Sequence, residues 1–247
     1  MKTTKDLFGH LCREYLDKGD SRELKLELDD GTVIDDFPIS FYVDSKEFRE
    51  IELRYLRYAR GKVLDLGCGS GRVGLFLKDN GGCSVFGVDN SPNLVHICKT
   101  RGLNAMLMDI NKQLPKDSFD TVVMYGNGFG MPGSIDSIRG LLLNLRDITS
   151  LNAIIIAESN DPNKMKNEID LNYQKRNLTL NRYVGQRRWR IRSGKEVGQY
   201  ENWMQLEPKL LRKLSQETGW TIEHGPEYES GSQWGAYFFV LRKTKKK

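Results

Sequence analysis

From Val63 the chain alternates between two hydrophobic periods, and no other feature narrows its fold so far. Short apolar runs, "KVLDLG", "SVFGVD", "NAMLMDI", "FDTVVMYG" and "AIIIAES", are separated by stretches with helical spacing, "GRVGLFLKDN", "SPNLVHICKTR" and a segment from about Ser134 to Ser150. Strands alternating with helices predict an α/β fold with a parallel sheet and helices on both faces. Ligands of such sheets bind beyond the carboxyl ends of the strands. Functional residues are therefore expected at the strand exits, where Asp65, Asp89, Asp109 and the turn from Tyr125 to Asn127 stand.

The first exit, "GCGSGRVG", reads in two registers. Gly67, Gly69 and Gly71 give G-x-G-x-G, while Gly69, Gly71 and Gly74 give the G-x-G-x-x-G of a dinucleotide site. Asp89, 20 residues beyond Gly69, suits the ribose hydroxyls of any adenosine cofactor and does not discriminate. Charge does. A dinucleotide brings a pyrophosphate, which carboxylates repel, whereas S-adenosylmethionine brings a sulfonium and an ammonium, which they attract. With Asp65, Asp89 and Asp109 approaching one crevice, and about 4 kcal/mol between unit charges about 4 Å apart at an effective dielectric of about 20, the acids select the methyl donor. Arg72 suits the donor's carboxylate or a phosphate equally.

Elsewhere the sequence is read more coarsely. One domain is expected from 247 residues of which 38% are hydrophobic. Leu7, Phe8, Leu11 and Tyr15 recur at helical spacing, "LKLELDDGTVI" reads as a hairpin, and a helix from Asp44 or Ser45 to Ala59 leads into the core. Residues 172–200 carry eight Lys or Arg against one Glu, and the end from Arg242 to Lys247 adds five more cations, so the formal +5 is local and the remaining body is acidic. The segment "NLTLNRYVGQRRWRIRSGKEVGQYENW" reads as antiparallel strands, with Trp189 and Ile191 on one face and Arg188, Arg190 and Arg192 on the other, solvated one. A helix opened by Pro208 and two strands, "WTIEHG" and "AYFFVLRK", close the chain; "RKTKKK" reads as a disordered, solvated tail. Four cysteines and three histidines without ligand spacing suggest neither disulfides nor a metal site, and no apolar run spans a membrane or forms a secretion signal. A cytoplasmic protein is expected.

The run "VLDLGCGSGR" with "VDNSPNLV", "MDI" and "FDTVVMYGNG", in this order and spacing, resembles the class I S-adenosylmethionine-dependent methyltransferases over residues 45–160 and the final helix and strands. The resemblance implies a Rossmann-like, seven-stranded, mostly parallel sheet with an antiparallel last strand. It implies Asp89 on the ribose hydroxyls with Asn90 beside it, Asp109 near the adenine amino group, and Ile110 packed on the adenine. It places Asp65 and Gly67 at the methionine portion of the donor, where Gly67, Gly69 and Gly71 let the backbone turn tightly against the ligand, and it lays the turn Tyr125, Gly126, Asn127 against the donor, facing the acceptor. The corresponding division is an N-terminal helix and hairpin (1–44), a cofactor-binding core (45–159), an inserted lid (160–206) and a C-terminal helix and strand pair (207–243).

The function expected is methyl transfer from S-adenosylmethionine to an oxygen or nitrogen of a small-molecule acceptor. Positioning two substrates supplies much of such catalysis, so the lack of a nucleophile constellation is consistent with it. Acceptor-side candidates are Tyr42, Tyr125, Asn127, Phe129 and Trp189, and Phe41, Tyr42, Tyr125 and Phe129 are candidate aromatic faces for a sulfonium. The turn "YGNG" departs from the Asn-Pro-Pro-Tyr pattern of amide- and adenine-modifying relatives. The alternatives are an RNA methyltransferase using the basic insertion, and a non-catalytic donor-binding protein.

Overall fold

The computed structural model describes residues 2–19 and 22–245. Strand β1 (Lys2–Thr3) precedes helix α1 (Leu7–Lys18), which is capped by the Asp6 carboxylate accepting from the Gly9 amide and buries Leu7, Leu11 and Cys12. The hairpin expected next is β2 (Lys25–Leu28) and β3 (Val33–Asp35) around the Asp29-Asp30-Gly31 turn. Helix α2 (Ile39–Val43) and a 3₁₀ turn (Ser45–Glu47) lead to α3 (Glu50–Leu56). The single helix expected over 44–59 is therefore broken. Phe48 and Arg49 are extended, with ψ of 127° and 150°, because Glu52 reaches back to the Arg49 amide and starts a new helix there.

The core then alternates as expected: β4 (Lys62–Leu66), α4 (Arg72–Asn80), β5 (Ser84–Asp89), α5 (Pro92–Thr100), β6 (Asn104–Leu107), β7 (Phe119–Met124), α6 (Ile135–Asp147) and β8 (Thr149–Asn160). Ser91 and Ser134 accept bonds at the starts of α5 and α6, which fixes where those helices begin. After α7 (Glu168–Thr179), β9 (Gln186–Ser193), β10 (Glu196–Val197) and β11 (Glu201–Met204), the chain returns through α8 (Pro208–Glu217), β12 (Trp220–Tyr228) and β13 (Ala236–Lys243).

The main sheet has seven strands in the order β12-β13-β8-β7-β4-β5-β6. Its core pairs are parallel, and β13 runs antiparallel to both β8 and β12. Strands covered on both faces read as continuous apolar runs, and Ala153–Ala157 of β8 and Ala236–Leu241 of β13 are buried without a break. Two apolar clusters, one built on Phe119, Leu142, Leu214 and Trp220 and one on Val63, Leu77, Val95 and Phe238, cover the two faces. After β4 the chain moves outward through β5 and β6, then returns to β4's other side as β7. That reversal opens a crevice at the carboxyl end of β4.

A second sheet was only partly foreseen. The insertion strand β9 is its centre, paired with β2 of the N-terminal hairpin, with β10 and with β11; β1 adds to β10 and β3 to β2. The hairpin and the insertion, more than 150 residues apart, thus make one six-stranded unit. Residues 178–180, expected as strand, end helix α7, whose start is fixed by Asn167 accepting from the Asp170 amide. At the cationic end the strand read from "AYFFVLRK" holds, and its last two residues are not part of a disordered tail. Arg242 and Lys243 belong to β13, and the Lys243 ammonium donates to the Arg146 and Thr149 carbonyls; Lys246 and Lys247 lie outside the described residues.

Candidate functional site

The glycine turn settles its own register. Gly67, Gly69 and Gly71 have φ of 69°, 54° and 87°, the left-handed region that side chains disfavour. Gly74 is helical, and a Cβ there would sit 2.8 Å from Leu103 and 3.1 Å from Asp65 Oδ2. The structural need is thus G-x-G-x-G for the turn, with Gly74 serving helix packing. The Gly67 and Cys68 amides donate to the Val88 carbonyl at 2.9 and 3.0 Å, so the turn is hooked onto β5. A Cβ built on Gly69 or Gly126 meets nothing within 4 Å, which leaves space beside the first and fourth strand exits.

Asp65 and Asp89 flank this turn, with 2% and 8% of their surface exposed. The Asp89 carboxylate accepts from the Gly69 amide at 3.0 Å and the Ser91 amide at 2.9 Å. Burial, opposed by these bonds, pushes its carboxyl up to about 6. Burial and then the charge of Asp89 push Asp65 up to about 7, and its Oδ2 has no partner. Asp109 is different. It stands in the turn beyond β6, which ends at Leu107, half exposed, and the Lys112 ammonium at 2.9 Å holds it below the usual carboxylate range. Ile110 beside it is half-buried against the core, and Asn90 is exposed. The crevice is therefore anionic chiefly through two coupled acids, with the third at its rim.

Arg72 is buried and more committed than the sequence suggests. It pairs with Glu52 at 2.7 Å and lies over the rings of Phe48 and Phe41 at 4.2 and 5.0 Å, while its buried Nη1 has no partner. Glu52 also holds Arg49, which reaches Glu158 at 3.0 Å and Glu229 at 2.8 Å. This buried network closes the site from behind. Glu158 accepts from the Gly126 amide at 2.9 Å, and the Tyr125 hydroxyl donates to the Glu52 carbonyl at 3.1 Å. Burial raises Tyr125 well above the usual phenol range, so it stays protonated. Tyr42 is raised likewise by burial and Asp36, to which its hydroxyl donates at 2.9 Å.

The other acceptor-side candidates divide. Phe129 is 1% exposed and packs edge-on against Phe239 at 5.0 Å, in the core and away from any ligand surface. Phe41 faces the Arg49 and Arg72 guanidinium groups, so its cation-binding face is occupied. Asn127 and Trp189, by contrast, are linked through Trp203 of the insertion. The Asn127 carbonyl accepts from the Trp203 indole at 2.9 Å, and the Trp203 and Trp189 rings lie 5.6 Å apart. Gly130 allows this approach: a Cβ there would sit 1.7 Å from the Met204 carbonyl oxygen of β11. Glu52, Glu158, Glu201 and Trp203 were not singled out from sequence. Glu201-x-Trp203 carries a strand's alternation, but only register with Trp189 shows that both face the body.

Arg188, Arg190 and Arg192 are on the outer face as expected, and they are not free. Glu27 accepts from Arg190 Nε at 3.1 Å and lies 3.6 Å from Arg192, while Arg188 and Arg190 lie over Tyr200. Two surface hollows of about 380 and 320 Å³ lie beside Arg72 and Asn80 and beside Lys25 and Arg192, and neither is lined by Asp65, Asp89 or Asp109. Among the described residues no group of acids, cysteines and histidines suits a metal, and no helix is long and apolar enough to cross a membrane.

Comparison with known proteins places this geometry. The family model described as "Methyltransferase domain" matches residues 63–149. A S-adenosylmethionine-dependent methyltransferase from Bacteroides fragilis, solved with S-adenosyl-L-homocysteine, superposes with a TM-score of 0.80 at 20% identity, covering 98% of this chain and 96% of that one. The CcbJ methyltransferase from Streptomyces caelestis gives 0.59 at 14% identity over 79% and 88%. CalS10, an amino pentose methyltransferase from Micromonospora echinaspora solved with S-adenosylmethionine, gives 0.51 at 14% identity over 78% and 88%. No curated protein matches in sequence. Residues 63–149, which hold the glycine turn and the strand-end acids, thus match a methyltransferase domain, and the chain shares its fold along nearly its whole length with a S-adenosylmethionine-dependent methyltransferase.

Proposed function

We propose that the protein transfers a methyl group from S-adenosylmethionine to an oxygen or nitrogen of a small-molecule acceptor. One observation carries the donor: a glycine turn open beside Gly69, flanked by the buried acids Asp65 and Asp89, with one Asp65 oxygen unpartnered. An uncompensated buried carboxylate is costly, and a cationic ligand relieves that cost where a pyrophosphate would raise it. The residues present fit the donor. When bound, it supplies an electrophilic methyl group on sulfur.

The chain's own residues then bind and orient. Asp89 takes the ribose hydroxyls while bracing the turn through Gly69, and Asp109 and Ile110 bound the adenine. Asp65 and the free Arg72 nitrogen suit the ammonium and carboxylate ends of the donor's amino acid portion. The turn from Tyr125 to Asn127 separates donor from acceptor, and the second sheet excludes water from the crevice. No side chain needs to act as nucleophile; alignment of the acceptor lone pair behind the methyl group is the catalytic device. The small-molecule reading is supported over RNA because Arg190 and Arg192 are tied back to Glu27 and Arg188 lies over Tyr200, so these cations are held against the protein's own side chains.

The test is incubation with radiolabelled S-adenosylmethionine and a metabolite extract, followed by mass spectrometry of labelled products. Label in a small molecule is the expected result. Label confined to added RNA supports the other acceptor class, and donor binding without any transfer supports a sensor.

A further inference from the structure

The lid carries an acid that none of the donor chemistry uses. In β11, Glu201 pairs in register with Trp189 and Trp203 with Arg187, so by strand alternation Trp189, Glu201 and Trp203 share one face with Ile191. That face looks onto the body: Ile191 packs on the cluster of Leu24, Leu94 and Ile97, and Trp203 donates to the Asn127 carbonyl. Glu201 is nonetheless open to solvent, as a residue lining a cleft is. Among the described residues its carboxylate has neither an ion pair nor a hydrogen bond. Arg187, the cation on the same face, is taken by Asp170 at 2.9 Å and Gln205 at 2.8 Å.

The groups facing Glu201 are of its own sign. Although one side of Glu201 meets solvent, desolvation by the protein packed around it first, then the charges of Asp89 at the end of β5 and Asp6 at the start of α1, raise its carboxyl above the usual range. A second polar group waits nearby: the Asn127 side-chain nitrogen, on a residue 7% exposed, has no partner, and the same residue's carbonyl holds Trp203. An unpaired acid beside two packed indoles, with acids behind it, lacks a cation.

Resting on the methyl-transfer reading above, we propose that the acceptor is an amine, and that Glu201 binds it as an ammonium beside the paired Trp189 and Trp203 rings and removes its proton. A hydroxyl acceptor is opposed by the same surroundings, since an alkoxide would have to form among like charges. An ammonium is attracted by them and by the indole faces. The step balances as follows. The ammonium passes one proton to the Glu201 carboxylate; the freed nitrogen lone pair forms the N–C bond to the methyl carbon as the S–C bond breaks, its electron pair remaining on sulfur. The methylated ammonium leaves, and Glu201 releases its proton to solvent.

Two measurements test this with the full-length protein. Tryptophan fluorescence is titrated with benzyltrimethylammonium and with benzyl alcohol in the presence of S-adenosylhomocysteine. The cation is expected to bind saturably and the alcohol far more weakly. Glu201→Gln is expected to weaken the cation at least tenfold while calorimetric affinity for S-adenosylhomocysteine stays within about twofold. Equal binding of cation and alcohol, or an unchanged cation affinity in Glu201→Gln, overturns the assignment. In parallel, the metabolite extract is offered before and after acetylation of its amines. Label lost on acetylation supports an amine acceptor, and label retained overturns it. An extract that takes no label in either form, with the cation still bound through Glu201, sinks methyl transfer and leaves the cation site standing.

Discussion

Asp89 does two jobs with one carboxylate, and this sets what its loss should do. It accepts from the Gly69 amide and from the Ser91 amide, so it shapes the turn as well as standing where the proposed donor ribose binds. Asp89→Ala is expected to lower donor affinity by about 10- to 100-fold by titration calorimetry, since hydrogen bonds to charged groups are worth about 1.5–3 kcal/mol. An unchanged affinity would place the ribose elsewhere. Gly74 makes the complementary case, because its role is packing. Gly74→Val forces atoms into Leu103 and Asp65 and is expected to reduce stability in urea by about 1–3 kcal/mol. Both positions stand out in the sequence, but only the backbone angles separate the turn glycines from the packing glycine.

In the proposed site the loop after β7 and strand β11, joined by the Trp203 indole bond, form the acceptor wall. Trp203→Phe keeps the ring and removes the indole bond to Asn127, at a cost of about 0.5–1.5 kcal/mol. The acceptor KM should rise several-fold with donor affinity unchanged, and a matching fall in donor affinity would place β11 on the donor instead. Helix α3 meets β8 and β13 through Arg49. Arg49→Ala leaves Glu52 and Glu158 without their shared partner in the interior, and denaturant melts should show a loss of about 3–5 kcal/mol. These elements were legible in unequal measure. The βα alternation, the hairpin and the Pro208 helix follow from local periodicity. The break at Phe48 and helix α7 do not, because a weakly amphipathic helix has no strong period and a capping carboxylate can override one.

For the whole molecule the raised acids set a pH dependence whose sign is fixed. Asp65 at about 7 and Asp89 at about 6 lie above their unfolded value of 3.8, so the folded state holds protons that the unfolded state has released. Their contribution to stability is therefore full below about pH 4 and is lost as pH rises through about 6 to 7. A cationic ligand prefers the ionised acids, which gives donor binding the opposite slope. Donor affinity should strengthen from pH 5.5 to 7.5, and the donor's stabilising shift in Tm should grow with it. An affinity flat across that range would show that neither carboxylate meets the donor's charge.

The sequence by itself determined the parallel core, the glycine turn and the strand-end acids, because these depend on periods of two and 3.6 and on residues near one another along the chain. It also supplied the class of ligand, since charge at a strand exit needs no tertiary knowledge. Only the tertiary structure decided that a hairpin at 25–35 and an insertion at 186–204 form one sheet, that Phe129 is core, and that Glu201 and Trp203 share one face with Trp189. Those facts rest on register between distant strands, where a slip of one residue exchanges the two faces and no local pattern records which was chosen.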